Sequence, residues 1–321
     1  MKLQQLEAIV AVANHELNVT AAAQHLDIFQ SNLSKHIASL EEELGVKIFT
    51  RDGRKLSALT EPGQNIIEIA RNILTNVNGI ESVAKAYTHP SQGHLRLSTT
   101  HTQARYVLPP TIKAFKQKYP DVSLQIHQGT PQQMADSLHK READFVIVTE
   151  ALDLFQQAIL LPCYHWNRSI IVLKDHPLAQ LKRVELSDLA RFDLVSYVFA
   201  FAEKSDLSNA FHQAGLSPKV VFSATDTDVI KTYVRIGLGV GLIASLAIDP
   251  SVDDDFVVID ASHLFHSSQT CIAFNPGLYL RDYMYDFIES FSPHLTQAVV
   301  NHALKLKNQK QRDDYFSSLR L

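Results

Sequence analysis

Residues 18–44 read NVTAAAQHLDIFQSNLSKHIASLEEEL, a run of helix-forming residues that is interrupted once. Asn18 or Thr20 can cap a first short helix, and the interruption falls at residues 27–29. A second helix is predicted from about residue 30 until Gly45, because glycine commonly ends a helix. Two short helices joined by a turn of about three residues are typical of a helix-turn-helix.

The second of these helices has an apolar face and a polar face. The apolar face consists of Leu33, Ile37, Leu40 and Leu44. Side chains of the polar face can donate hydrogen bonds to base edges and phosphates in the major groove of DNA. The predicted DNA-contacting residues are Thr20 of the first helix and, from the second helix, Gln30, Ser31, Asn32, Ser34 and Lys35. The spacing also fits a plain helical hairpin with a solvated polar face.

A basic hairpin is predicted directly after this pair of helices. Residues 47–60 read KIFTRDGRKLSALT, two short strands around the turn pair Asp52-Gly53. Its basic residues are Lys47, Arg51, Arg54 and Lys55. A hairpin in this place is typical of a wing that contacts the phosphate backbone, and we assign this role to Arg51, Arg54 and Lys55. The alternative, a solvated charged turn, is the less favoured interpretation.

A long helix is predicted next, with Thr60 as its cap and Pro62 in its first turn. Apolar residues recur along it with the heptad spacing of a coiled coil, namely Ile66, Ile73, Ile80 and Tyr87, with Ala70, Val77 and Ala84 four positions later. We interpret the helix as a dimer seam, because paired DNA half-sites require a paired protein. The alternative is a helix packed on its own domain.

Beyond residue 93, strand-like and helical segments alternate up to about residue 300. This alternation predicts an α/β fold with parallel or mixed sheets, and the length favours two lobes with a cleft between them. In such sheets, ligands bind beyond the carboxyl ends of the strands.

Two strand ends in this region carry neutral hydrogen-bond donors. Thr100, Thr102 and Gln103 lie where a strand leads into a helix, and Thr149 follows the apolar strand 145–148. Such donors suit an anionic or carboxylate-bearing small molecule. The alternatives are a simple helix cap for Thr100 and a loop hydroxyl for Thr149. Tyr164 and Trp166, near Thr149, are candidate walls of the pocket, although such residues are more often part of the core.

Composition and motifs argue against several classes of protein. The chain has 321 residues and a net charge of −4, so nucleic-acid binding requires a local basic patch. No apolar run approaches about 18 residues and the start lacks a signal peptide, so we expect a cytoplasmic protein without a membrane partner.

The glycines at 237, 239 and 241 follow a helix instead of preceding one, which argues against a dinucleotide site. Cys163 and Cys271 lack a persuasive partner, and we predict no catalytic site, metal or cofactor.

Several motifs resemble those of LysR-type transcriptional regulators over residues 1 to about 300. The N-terminal motifs are AAAQHL, QSNLSKHIASLEEELGVKIFTR and LTEPG, and the later ones include TTHTQARY, HQGTPQQMAD, ADFVIVTEAL, LPCYHWNR, TDVIKTYVRIGLGVG and YMYDFI. TTHTQARY and LPCYHWNR are the most specific, and they are similar to the segments of family members that regulate sulfur assimilation.

The resemblance implies a winged helix-turn-helix, a dimerising linker helix and a two-lobed effector domain of the periplasmic-binding-protein type. The expected bounds are 1–60 for the DNA-binding domain, 61–88 for the linker helix and 89–300 for the effector domain. Within the latter, we expect lobe I at about 93–162 and 268–300 and lobe II at about 163–267. Residues 301–321 form a polar tail to which we assign no function.

The resemblance also implies a function and partners. Such regulators assemble as homodimers and homotetramers on promoter DNA, and they activate sulfate-uptake and cysteine-synthesis genes when an acetylserine inducer binds. RNA polymerase is a further partner implied by that role, and sulfate or thiosulfate can occupy the cleft. Thr100, Thr102, Gln103 and Thr149 match the positions that hold the anion, and Trp166 and Ala202 complete the expected effector site.

Two departures from the family pattern bear on these expectations. Phe29 stands where a serine usually caps the recognition helix, so the cap is lost or moved. FAFAEKS at 199–205 stands where the sulfur regulators have FGFTGRS, so that Ala202 replaces a ligand-contacting threonine and Glu203 replaces a glycine. The changes predict weaker sulfate binding, a different effector or an altered inducer preference.

Three other functions compete with this interpretation. A solute-binding protein would need only the second half of the chain, and an enzyme would need a nucleophile, a base or a metal cluster. A LysR-type regulator of another sulfur or unrelated pathway is the stronger alternative, and Ala202 and Glu203 are its main support.

Overall fold

The computed structural model describes residues 1–53, 55–89, 92–201 and 205–319. The chain divides into two compact units, Met1–Pro90 with Gly277–Arg281, and Ser91–Pro276 with Asp282–Leu321. No described helix is both long and apolar enough to cross a lipid bilayer.

The first unit contains three short helices, a two-stranded hairpin and a long helix. In chain order these are α1 (Leu3–Asn14), α2 (Val19–His25), α3 (Gln30–Leu44), β1 (Phe49–Asp52), β2 (Lys55–Leu59) and α4 (Glu61–Thr88). Small residues of α2, Ala22 and Ala23, are buried with Leu33 and Ile37 of α3, which allows the two helices to pack closely. The predicted helix pair, hairpin and long helix are therefore present.

The sequence left the cap of α2 open between two residues, and the structure identifies Asn18. Its side chain accepts hydrogen bonds from the backbone N–H groups of Thr20 (3.0 Å) and Ala21 (3.1 Å). Gly45 ends α3 with a φ of 69°, a left-handed conformation that glycine adopts without steric penalty. Leu44 was assigned to the apolar face of α3, and this was wrong, because its side chain is 40% exposed.

Glu41 takes the buried position at that end of α3. Its side chain is 1% exposed and forms an ion pair with Lys47 at 2.9 Å. It also accepts hydrogen bonds from the backbone N–H groups of Ile48 (3.0 Å) and Phe49 (3.3 Å). Burial raises the pKa of Glu41, but these hydrogen bonds outweigh burial and hold the pKa below its ordinary value. Glu41 thus ties α3 to the start of the hairpin.

The second unit contains two five-stranded mixed sheets. Its strands are β3 (Gly93–Thr99), β4 (Val122–Gln128), β5 (Phe145–Val148), β6 (Ile159–Trp166), β7 (Arg168–Leu173), β8 (Asp193–Tyr197), β9 (Lys219–Ala224), β10 (Val240–Ala244), β11 (Phe256–Asp260) and β12 (Ser268–Phe274). The strand order is β4-β3-β5-β12-β6 in the first sheet and β11-β7-β10-β8-β9 in the second. The chain passes from the first sheet to the second at Asn167 and returns between β11 and β12. Each sheet is the centre of one lobe.

Helices cover both sheets. They are α5 (Leu108–Lys118), α6 (Pro131–His139), α7 (Leu186–Leu189), α8 (Asp206–Gln213), α9 (Thr227–Arg235), α10 (Asp282–Phe291), α11 (Gln297–Lys305) and α12 (Gln309–Ser318). Shorter helical segments lie at Gln103–Val107, Leu152–Phe155, Pro177–Gln180 and Ser245–Ala247. The predicted alternation of strands and helices is confirmed, as are the strand that precedes Thr100, which is β3, and the apolar strand 145–148, which is β5.

Strand β6 contains Pro162, a residue that is unfavourable in the middle of a sheet. The strand lies at the edge of its sheet, where a proline is tolerated. Helix α12 of the polar tail lies against this edge. The side-chain amide of Gln309 accepts from the N–H of Leu160 and donates to its carbonyl, both at 3.4 Å. The tail is therefore helical, and it covers backbone groups that a neighbouring strand would otherwise bind.

Candidate functional sites

The residues predicted to contact DNA lie together on an exposed face of α2 and α3. Thr20, Gln30, Ser31, Asn32, Ser34 and Lys35 are all exposed. The amide of Gln30 donates to the hydroxyl of Thr20 at 2.6 Å, which links the first residue of α3 to the start of α2. This is the arrangement that a recognition helix needs, with polar side chains presented from a rigid pair of helices.

Helix α3 begins without a side-chain cap. Its N-cap residue is Phe29, with φ −73° and ψ 143°, and its side chain is 79% exposed. Serine at this position could accept a hydrogen bond from the first turn, whereas a phenyl ring cannot. The predicted loss of the cap is confirmed.

The hairpin pairs β1 with β2, with Asp52 opposite Lys55 across the turn. Arg51 and Lys55 are exposed, as a phosphate-contacting wing requires. Lys47 instead forms the ion pair with Glu41. Arg54, the third predicted phosphate contact, lies outside the described residues.

The predicted dimer seam on α4 changes character along the helix. Ala70 is buried in the core of its own unit, and Ile73 packs against that core. Farther along, Ile80 is 72% exposed and Tyr87 is 86% exposed. The first half of the helix therefore packs on its own domain, which was the alternative interpretation. The second half presents an exposed apolar stripe.

The predicted effector residues meet at one cavity between the two lobes. The cavity has a volume of about 20 Å³, and Thr100, Thr102, Gln103, Thr149 and Trp166 all line it. A volume of this size holds about one water molecule. A ligand as large as sulfate does not fit this cavity as it stands. A larger pocket of about 800 Å³ adjoins it and shares Thr149, Glu150 and Phe199. Ala202 and Glu203 lie outside the described residues.

The elements that bring these residues together are the ends of neighbouring strands. Thr100 follows β3 and accepts a hydrogen bond from the N–H of Gln103 at 3.4 Å, so it acts as a cap and also lines the cavity. Thr149 follows β5, which lies beside β3 in the sheet. Trp166 ends β6, and its buried indole Nε1 has no hydrogen-bond partner among the described residues.

A group of contacts joins the lobes beside the cavity, and we call its members between residues 101–106 and 226–228 the interlobe contact. The pairs are His101 with Asp226 (3.1 Å), Thr102 with Thr227 (2.9 Å), Arg105 with Asp228 (2.6 Å) and Tyr106 with Asp228. His101, Asp226 and Asp228 have the spacing of metal ligands, but Arg105 and Tyr106 already bind Asp228.

Sequence reasoning missed several residues of the cavity. Tyr197 and Phe199 come from the second lobe, and Glu150 directly follows Thr149. Glu150 forms an ion pair with Arg168, whose side chain is 4% exposed. Burial holds the pKa of Glu150 above its ordinary value, although Arg168 opposes the shift. Glu150 is adjacent in sequence to a predicted residue, but no sequence pattern indicated that Tyr197 would reach the cavity from the other lobe.

The two cysteines are poor nucleophiles. Both are buried, and burial raises the pKa of both thiols, to about 12 for Cys271. A thiol of such a pKa is protonated near neutral pH and does not react as a thiolate.

Two family patterns match the chain. The pattern described as "Bacterial regulatory helix-turn-helix protein, lysR family" matches residues 3–64, and "LysR substrate binding domain" matches residues 88–296.

Individual proteins are similar over nearly the whole length. The chain is 50% identical to the transcriptional regulator CysB of Haemophilus influenzae over 321 residues, which is 100% of this chain and 99% of that protein. It is 41% identical to the regulator SsuR of Burkholderia cenocepacia, over 95% of this chain and 99% of that protein. Among solved structures, the cofactor-binding domain of the Cbl transcriptional regulator matches with a TM-score of 0.62 and 36% identity, covering 67% of this chain and 95% of that domain.

With an exposed recognition helix, a two-lobed domain and matches to both family patterns, the chain belongs to the LysR family of DNA-binding transcriptional regulators, is similar to CysB, and is not an enzyme.

Proposed function

We propose that the protein regulates genes of sulfur assimilation and cysteine synthesis in response to a small molecule in the interlobe cavity. The observation that carries this proposal is the meeting of Thr100, Thr102, Gln103 and Thr149 at one cavity. The resemblance to the sulfur regulators implies that these residues hold an anion. The relatives named CysB, SsuR and Cbl support a sulfur-related role, and the 50% identity to CysB favours this pathway. An acetylserine, sulfate or thiosulfate is the proposed ligand.

Residues 1–60 are the proposed promoter-binding domain. Gln30, Ser31, Asn32, Ser34 and Lys35 would read or grip the major groove, with Thr20 holding Gln30, and the wing would contact phosphates. The exposed second half of α4, within the proposed linker 61–88, would pair two chains, and pairs would associate further into tetramers. RNA polymerase is a proposed partner at activated promoters.

The proposed mechanism is a shift between lobe arrangements of the effector domain, residues 89–300. A ligand shifts this equilibrium only when it binds one arrangement more tightly than the other. The cavity as it stands is too small for the proposed ligands, so we propose that ligand binding accompanies a change in the lobe arrangement. The changed lobe arrangement would then alter how paired DNA-binding domains span the promoter.

The second candidate is a LysR-type regulator of another sulfur pathway or of an unrelated one. The departures Ala202 and Glu203 favour it, as does the 41% identity to SsuR. The two candidates are distinguished by selecting fragments of the source genome with the full-length chain and sequencing them. Enrichment of fragments upstream of sulfate-uptake and cysteine-synthesis genes would support the first candidate. Enrichment elsewhere would support the second.

A further inference from the structure

Gln103 is the cavity residue whose orientation decides what kind of ligand atom it can bind. Its side chain lines the cavity and the residue is 1% exposed. A glutamine amide has an acceptor oxygen at one end and two N–H donors at the other. An anion binds only to the donor end, so something must prevent the buried amide from turning over.

Tyr164 is placed to do this. The residue lies on β6, and its hydroxyl donates to Oε1 of Gln103 at 2.6 Å. Burial is the main reason that the pKa of Tyr164 is raised to about 12, so the phenol keeps its proton near neutral pH. The hydroxyl could also accept an N–H from a turned amide, but its own buried proton would then lose Oε1 as its acceptor. The observed orientation is therefore favoured, and it leaves the Nε2 donors of Gln103 for the cavity.

We propose that Tyr164 is a positioning residue that fixes the amide of Gln103 with its N–H donors toward the cavity, and so makes the site selective for oxyanions and carboxylates. The inference rests on the proposed effector role of the cavity. Tyr164 does not itself line that cavity, which distinguishes its role from that of a ligand-contacting residue.

The hydroxyl is removed without loss of the ring in Tyr164→Phe. The probe is sodium sulfate, titrated calorimetrically into the full-length chain. The amide of Tyr164→Phe can turn its oxygen toward the anion, so we expect sulfate affinity to fall about tenfold. Tyr119→Phe is the matched control, because it also removes a hydroxyl bonded to a side chain, that of Asp286, and does not line the cavity.

A double-mutant cycle separates positioning from general loss of structure. In a chain carrying Gln103→Ala there is no amide to orient, so adding Tyr164→Phe is expected to change sulfate affinity less than about twofold. An equal loss in both backgrounds would overturn the proposal. Failure of the wild-type chain to bind sulfate would also overturn it, while genomic DNA selection by the same preparation would leave the proposed function standing.

A second measurement applies if Gln103→Ala binds sulfate too weakly to titrate. The side-chain carbonyl carbon of Gln103 is observed by NMR in the ligand-free chain and assigned by its absence in Gln103→Ala. Loss of the Tyr164 hydrogen bond should shift this resonance upfield in Tyr164→Phe, because hydrogen bonding to a carbonyl oxygen deshields its carbon. An unchanged resonance would show that the tyrosine does not hold the amide.

Discussion

The hydroxyl groups of Thr102 and Thr227 lie 2.9 Å apart and join the two lobes of the effector domain. Thr102 also lines the interlobe cavity, and Thr227 is the first residue of α9. The same hydroxyl therefore takes part in the lobe contact and lines the proposed ligand site. A ligand bound to Thr102 would alter this contact or add to it, and would thus supply the unequal affinity that a population shift requires.

Restoring a cap to α3 should stabilise the protein. In Phe29→Ser, the serine hydroxyl can accept a hydrogen bond from the first turn, and Phe29 already has the extended backbone of a cap residue. We expect the free energy of unfolding to rise by about 1 kcal/mol, measured by urea denaturation. Phe29→Ala is the control for loss of the exposed ring. Equal stability of the serine and alanine variants would contradict the assignment of Phe29 as the N-cap.

Removing the buried carboxylate of Glu41 should destabilise the DNA-binding unit. Glu41→Ala leaves the N–H groups of Ile48 and Phe49 without their acceptor, and we expect a loss of about 1–3 kcal/mol. Glu42→Ala, at the exposed neighbouring position, should change stability little.

The contribution of Glu41 should depend on pH with a definite sign. Its pKa is lowered in the folded protein, so its stabilising effect is fully present above the ordinary pKa of 4.5. The effect is lost as pH falls below that value and through the folded pKa. The stability difference between wild type and Glu41→Gln should therefore shrink in acid. A constant difference across this range would argue against a stabilised carboxylate.

Arg51 should contribute to DNA affinity without sequence preference. A phosphate contact releases bound cations, so Arg51→Ala should weaken binding to all DNA sequences and reduce the slope of log K against log salt by about 0.9. Fluorescence anisotropy with several DNA fragments measures both effects. Lys219→Ala, a solvent-exposed lysine of the second lobe, serves as the control. A loss confined to one sequence would mean that Arg51 reads bases.

The exposed apolar stripe on α4 should support dimers. Ile80→Glu places a charge where the proposed partner helix would pack, and sedimentation should show a shift toward monomers. Gln64→Glu is the control, because it adds the same charge at an exposed position near the start of the helix. An unchanged oligomeric state in Ile80→Glu would place the dimer interface elsewhere.

Local patterns in the sequence predicted most of the first unit, because caps, turns and apolar spacing act over a few residues. Asn18, Gly45 and Thr60 all end or begin helices as their chemistry requires. Leu44 was misplaced because apolar spacing alone does not show where a helix leaves the core. Glu41 was missed as a buried residue because its partners, Ile48 and Phe49, become neighbours only when the chain folds back.

The cavity was predictable in part for the same reason. Thr100, Thr102, Gln103 and Thr149 follow recognisable strands, and their resemblance to a family motif gave them a role. Tyr197 and Thr227 lie in the second lobe, and their approach depends on how the two sheets pack. The edge strand β6 was obscured by Pro162, so the contact of Tyr164 with Gln103 could not be anticipated.

The most direct test is whether a ligand at Thr102 changes DNA binding. Binding of the full-length chain to a genome-selected fragment is measured with O-acetylserine, N-acetylserine, sulfate and thiosulfate in turn. At least one of them should change the Kd or the footprint in the wild type and in the control Thr232→Val, whose hydroxyl donates to a carbonyl within α9. The response should be lost in Thr102→Val. A full response in Thr102→Val, or none of the four ligands acting on the wild type, would contradict ligand control through this cavity.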